Sequence, residues 1–235
     1  MPQFLILRLD GLMQAWGGHT FEDFRPSHLF PTRSGLLGLL GACLGLDRHD
    51  QEGQRGLAES VEFTVRADSC VPRPERIEPS TSNKRAVKLP DFHTVLGARK
   101  VDGSINKNPV VSRREYLFDA AFTVAVEGRS GASFGLEEIA NAVQKPVYTP
   151  FLGRRSCPLA RPLFGGIVEA EEAKAALAQV SLGAGVIYGE GESMRNNRPL
   201  QIRDVPLHGP HRQFGARWTY VHSDQGGQSD VSESL

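Results

Sequence analysis

Four clusters in this chain combine residue types suited to holding a polyanion. The first is Gln14, Trp16 and Gly17, inside Met13–Gly17. A tryptophan face can stack a splayed base, a contact worth ~1–3 kcal/mol. The second is Thr32-Arg33-Ser34, just ahead of an apolar, glycine-rich run. A helix beginning there would offer free N–H groups and the positive end of its dipole to a phosphate, with Arg33 adding charge and two hydroxyls adding donors. The third is Tyr148 followed by Gly153-Arg154-Arg155-Ser156. Glycine lets a backbone come close to a ligand, and arginine presents a planar fork that matches phosphate. The fourth is a basic stretch with His93, Arg99, Lys100, Lys107 and Arg113. Each cluster has a plainer reading. Trp16 can anchor its loop to the core, Thr32 or Ser34 can simply cap a helix beside a surface Arg33, Gly153–Ser156 can be a solvated turn, and a charge run can be a solvated face.

Other chemistry finds less support. No Gly-x4-Gly-Lys-[Ser/Thr] occurs, and Gly183-x-Gly185 and Gly189-x-Gly191 lack the third glycine of a dinucleotide fingerprint. No nucleotide cofactor is expected. The cysteines are Cys43, Cys70 and Cys157, an odd number with no Cys-x-x-Cys, so neither a disulfide framework nor a zinc ribbon is expected. The histidines show no metal-ligand spacing, since His208 and His211 flank Gly209-Pro210. No metal is expected. A metal-independent ribonuclease needs a general base and acid near one phosphate, which His93 or His19 with a Lys or Tyr could supply. That reading is the alternative to simple binding.

These residues must be positioned by a chain of 235 residues with 27 basic and 27 acidic side chains, a formal net charge of zero. Any nucleic-acid surface is therefore local. Charge is indeed uneven. Lys84–Arg114 holds eight Lys and Arg against only Asp91 and Asp102, a local charge of +6. The apolar run Phe4–Leu9 before Asp10-Gly11 predicts a buried central strand rather than a signal peptide. The longest apolar block, Gly35–Leu46, is twelve residues, short of the roughly 20 needed to span a bilayer. A soluble cytoplasmic protein is expected.

Between these, Gly17–Pro31 reads as a loop and Gly35–Leu44 as a helix capped by Thr32 or Ser34. Its glycines at 35, 38, 41 and 45 make one stripe, a repeated cost of about 1 kcal/mol each against alanine. That cost implies close approach to a sheet or to a ligand. Strands are predicted over Val61–Ala67, Ala121–Glu127, Leu163–Ala170 and Ala216–His222, and a second helix over Leu136–Val143 before Pro146. The order strand, helix, strand, insertion, strand, helix, strand fits a split βαβ, ferredoxin-like (RRM-like) α+β core. Residues 1–74 and 115–223 form that core, with an irregular C-terminal part. Residues 75–114 form an inserted basic β-hairpin or extended arm, and 224–235 a frayed tail.

Leu5–Leu9 with Met13–Gly17, Phe30–Gly45, His93–Arg99, Arg114–Tyr116 and Tyr148–Leu163 together resemble the CasD family of type I-E CRISPR surveillance (Cascade) complexes, within the RAMP superfamily. The resemblance covers most of residues 1–165 and weakens after about Ala170. It implies a ferredoxin-like core whose inserted arm is called the thumb. It further implies a non-catalytic subunit, with no cofactor, that holds the 5′ handle of CRISPR RNA through the four clusters above. Its partners would be the backbone and large subunits of Cascade and, indirectly, target DNA, with no membrane. In this reading Arg33, Arg154 and Arg155 surround one bent RNA backbone.

Overall fold

A computed structural model describes residues 1–68, 87–180, 185–209 and 213–222. The expectations for residues 75–86, for Cys70, for His211 and for the tail 224–235 lie outside the described residues.

The chain opens with strand β1 (Gln3–Asp10). Four two-residue strands follow: β2 (Met13–Gln14), β3 (Trp16–Gly17), β4 (Phe24–Arg25) and β5 (Ser27–His28). Next come helices α1 (Arg33–Leu44) and α2 (Gln51–Ser60), then strands β6 (Val61–Asp68), β7 (Val87–Val95), β8 (Val110–Phe118) and β9 (Ala121–Gly128). Helix α3 (Leu136–Gln144), strand β10 (Phe164–Glu169), helix α4 (Ala173–Gln179) and strands β11 (Gly185–Gly189), β12 (Arg198–Pro206) and β13 (Phe214–His222) complete it.

Seven strands form one antiparallel sheet in the order β10-β1-β9-β6-β11-β13-β12. Both faces of its centre are covered. Leu5, Leu7 and Leu9 of β1 join the core shared with α1 and α3, whereas Phe4 and Ile6 join the core under α4. Successive strand side chains point to opposite faces, so a doubly covered strand must be apolar on both. That is why β1 reads as a run rather than an alternation.

Helix α1 starts at Thr32, whose buried hydroxyl accepts from the Gly35 N–H, and ends at Gly45 with φ +77°. Leu36, Leu37, Leu39, Leu40 and Cys43 fill the core. The expected glycine stripe divides. A Cβ at Gly35 would meet the Trp16 ring at 2.9 Å, one at Gly41 would face Gln54 at 3.5 Å, and one at Gly38 would find nothing within 4 Å. The close approach is to the tryptophan of β3 and to α2, not to the main sheet.

The C-terminal part is not irregular: β11, β12 and β13 extend the sheet. Pro199 and Pro206 make 198–206 read as loop, yet β12 is an edge strand, where a missing N–H is tolerated. Its buried Ile202 and Asp204 alternate with exposed Gln201 and Arg203. Helix α2 also escapes notice in the sequence, because only Leu57 and Ser60 of its ten residues are buried.

A second, smaller sheet is built on β8. Strand β7 pairs with it antiparallel over nine positions, from Val87↔Phe118 to Val95↔Val110. On its other edge β8 takes β4 in parallel (Phe24↔Arg113, Arg25↔Arg114) and β2 antiparallel (Gln14↔Leu117). The hairpin does not stop at Arg114. Tyr116 and Leu117 continue β8 into the main core, so the arm is rooted there.

Candidate nucleic-acid interface

Gln14 and Trp16 are fully buried. Gln14 Nε2 donates to the carbonyls of Leu9 (3.1 Å) and Ala120 (2.6 Å), and its Oε1 accepts from Trp16 Nε1 at 3.1 Å. The Trp16 backbone N–H donates to Ser27 Oγ at 2.9 Å. The indole thus lies against Gly35, fully buried and with its N–H committed, and it has no exposed surface on which to stack a base. The plainer reading, an anchor for the loop, is the one the geometry supports. Gly17 is exposed, with open space where a Cβ would stand.

Arg33 is the larger correction. A phosphate is expected at this helix start, but the Arg33 guanidinium is buried and engaged through both terminal nitrogens. Nη1 pairs with Glu190, Nη2 donates to the carbonyls of Ala58 (2.6 Å) and Val61 (3.1 Å), and the group lies 5.5 Å from the Phe63 ring centroid. The first N–H of α1, that of Arg33 itself, donates to Asp204 Oδ2 at 2.6 Å. The anion at this helix terminus is therefore a carboxylate from β12. Arg217 of β13 completes the cluster, with Nε 2.7 Å from Asp204 Oδ1 and Nη1 3.3 Å from Glu190 Oε2. The Phe63 N–H also donates to Glu190 Oε1 at 2.6 Å. Burial pushes the Glu190 carboxyl up and the Arg33 guanidinium down, each opposed by the attraction of its partner. Thr32 is likewise buried as the cap, and the partly buried Ser34 Oγ stands 3.4 Å from Thr32 Oγ1.

The third cluster divides in two. Segment 147–153 runs along α1. The N–H groups of Val147 and Tyr148 donate to Cys43 and Ala42 at the C-terminal end of the helix, and Leu152 accepts from Ala15 N near its start. Tyr148 is exposed at the far end of the helix. Gly153 has φ +84°, and a Cβ there would stand 1.8 Å from the Ala15 carbonyl oxygen, so glycine is required by both conformation and space. Arg154 points inward. It donates to the carbonyls of Glu115 (2.9 Å) and Arg25 (3.0 Å) and lies 4.6 Å over the Tyr116 ring. Arg154 ties this loop to the hairpin, while Arg155 and Ser156 are exposed beside it.

The fourth cluster is the most accessible. Arg99, Lys100, Lys107 and Arg113 are exposed on the hairpin or its tip. Lys100 N–H donates to Ser104 O and Asn106 N–H to Ala98 O, which gives the tip its own turns. Among the described residues Arg113 has one weak side-chain partner, Asp23 at 3.5 Å. His93 is half-buried, with Nε2 2.7 Å from Asp91 Oδ2 and 3.3 Å from the Tyr116 hydroxyl. Among the described residues no three His, Cys, Asp or Glu side chains are grouped to hold a metal, and no helix is long and apolar enough to cross a membrane. Cys43 and Cys157 are buried free thiols, and burial pushes the Cys43 thiol up to about 11.

Sequence reasoning missed Glu190, Asp204 and Arg217, which lie in the segment that carried no motif. Nor did it place Arg25 beside Arg114, which β4 and β8 set in register. The alternation of charges with apolar residues along 198–206 and 214–222 was the available signal.

A mixed α/β architecture of a seven-stranded antiparallel sheet with two smaller sheets, and with exposed cations on a rooted hairpin and an adjoining loop, defines the class. The chain belongs to the Cas5 family: the sequence model described as CRISPR-associated protein (Cas_Cas5) matches residues 4–220. It is 44% identical over 234 residues to the CRISPR system Cascade subunit CasD of Escherichia coli (strain K12), covering 99% of this chain and 100% of that one. Among solved structures it is similar to a chain of a CRISPR RNA-guided surveillance complex, with a TM-score of 0.71 and 27% identity over 93% of this chain and 89% of the other. It is also similar to a crystal structure of a Cas protein, with a TM-score of 0.61 and 27% identity over 94% of each chain.

Proposed function

We propose that this chain is a non-catalytic RNA-binding subunit of a Cascade-type surveillance complex in the cytoplasm. In this reading it holds the 5′ handle of the guide RNA and caps the backbone of the complex, beside the backbone and large subunits. The observation that carries the reading is the full-length similarity to a Cascade subunit. The exposed cations of the hairpin and of Arg155 support it, as a surface suited to phosphates. We read β1, α1, β6, β9, α3 and β10 as a ferredoxin-like core, from the spatial order β10-β1-β9-β6, and the β7–β8 hairpin as the thumb. Base pairing by the guide carries sequence specificity while the protein holds backbone and shape.

The alternative is a metal-independent endoribonuclease, which the contact of His93 with Tyr116 and Asp91 keeps open. Incubating the chain, alone and within an assembled complex, with end-labelled repeat RNA in EDTA tests both. Retention of intact RNA supports the binding subunit, cleavage supports the nuclease, and assembly without RNA contact would leave only a scaffold.

A further inference from the structure

The small sheet places aromatic rings and an arginine in one row. Phe24 of β4 and Phe92 of β7 are both register partners of Arg113 in β8, one on each side. Register partners in neighbouring strands share a face of the sheet. The row is therefore Phe24, Arg113, Phe92, and Phe21, bridged to Phe24, extends it by one position. Strands lie ≈ 4.7–4.9 Å apart, which sets the two outer backbones of the three-residue row roughly 10 Å apart. These side chains are not core. Phe21 is 69% exposed, Phe24 38% and Phe92 65%. The Arg113 side chain is 67% exposed, and its terminal nitrogens have no partner among the described residues.

Three exposed phenylalanines in one row demand an occupant. Charge chooses between the candidates. The row has a guanidinium at its centre and leads to the exposed cations Arg99, Lys100 and Lys107 at the tip. Phenylalanine has no hydrogen-bonding edge, so it reads the flat face of a ligand and not its sequence. A guanidinium plane stacks on bases as aromatic rings do, and aromatic residues on an open sheet can stack two or three bases. We propose that Phe24, Arg113 and Phe92 form a sequence-tolerant stacking platform for two or three unpaired bases of single-stranded RNA. It is separate from the backbone contacts of Arg155 and the hairpin tip. This rests on the RNA-binding reading above and adds to it which surface takes bases and which takes phosphates.

The test uses the full-length chain and two probes, a short fluorescent single-stranded oligoadenylate and the same oligonucleotide with abasic sites replacing its central bases. Substituting Phe24→Leu with Phe92→Leu keeps apolar bulk in each strand and removes both rings. The expected result is a loss of about tenfold or more in affinity for oligoadenylate, no change for the abasic probe, and an unchanged salt slope. Phe24→Trp with Phe92→Trp should restore the preference for bases. If the wild-type chain binds RNA and the leucine variant binds both probes as wild type does, the platform is refuted while the RNA-binding reading stands. If the wild type binds neither probe, both readings fail. A leucine variant that binds RNA normally but no longer assembles with other subunits would make the row a protein-docking face and overturn the proposal. Equal loss of both probes without rescue by tryptophan would make it a packing element, with the same consequence.

Discussion

Arg33→Ala separates a structural arginine from an RNA-binding one. In the folded chain the Arg33 guanidinium is enclosed by Glu190 and by the carbonyls of Ala58 and Val61. Removing it leaves Glu190 with Arg217 and one backbone N–H as partners, and leaves two carbonyls short of a donor. Breaking a buried pair from one side costs about 3–5 kcal/mol. A chain of this size loses roughly 2–4 °C of Tm per kcal/mol, so the expected fall is roughly 6–20 °C. Arg155→Ala, at an exposed position with no partner among the described residues, should stay within about 0.5 kcal/mol of wild type. The assay is thermal unfolding alongside RNA affinity measured across a salt series. Each phosphate contact to a single strand contributes about 0.7 to the slope of log affinity against log salt. Arg155→Ala should lower that slope by about 0.7 without moving Tm, and Arg33→Ala should lower Tm without moving the slope. Arg33→Met combined with Glu190→Gln should recover much of the stability, because a neutral pair of similar volume removes the buried charge. If Arg33→Ala keeps its Tm and flattens the salt dependence, the buried cluster is misassigned and Arg33 meets phosphate after all.

Three further outcomes follow from the geometry. Gly153→Ala must place a methyl 1.8 Å from the Ala15 carbonyl at φ +84°, so Tm should drop by several degrees, whereas Gly17→Ala, with open space around it, should be neutral by the same melting assay. Replacing the tip 96–109 with Asn-Gly joins Val95 to Val110, which are already register partners. Circular dichroism and Tm should be retained, while loss of Arg99, Lys100 and Lys107 should lower the RNA salt slope by up to about 2. An unfolded variant would show the tip to be structural. Burial lowers the pKa of His28 below its ordinary value of about 6.5. The unfolded chain then takes up the proton first, so the His28 contribution is fully present above about pH 6.5 and is lost as pH falls through the lowered value. Burial lowers His208 in the same sense. Denaturant unfolding at pH 7 and pH 5 should show the decline, and His28→Gln should make it shallower.

Local patterning foretold much of the main sheet. The run Phe4–Leu9, the alternation of Val61–Ala67 and the capped block after Thr32 each carry their own periodicity and end signals, and each became an element within a residue or two of its expected limits. The same locality explains the failures. Strand β12 contains two prolines and reads as loop until its position at the sheet edge is known. The row of Phe24, Arg113 and Phe92 does not exist in one dimension, since its members are about 20 and 90 residues apart along the chain and only pairing on β8 aligns them.

The arginines show the division most clearly. Residue type alone says that Arg33 at a helix start will meet an anion, because guanidinium and helix terminus both favour one. Phosphate and carboxylate satisfy that chemistry equally well. Which of them arrives is decided by a strand end 157 residues away that brings Glu190 to the side chain, and by β12, which brings Asp204 to the backbone N–H. In the same way Arg154 and Arg155 are indistinguishable as letters. Gly153, held against the Ala15 carbonyl, sets the turn after which Arg154 points inward over Tyr116 and Arg155 lies exposed at the surface. Sequence determines which groups are capable of binding an anion; the packed structure determines which of them have already found one.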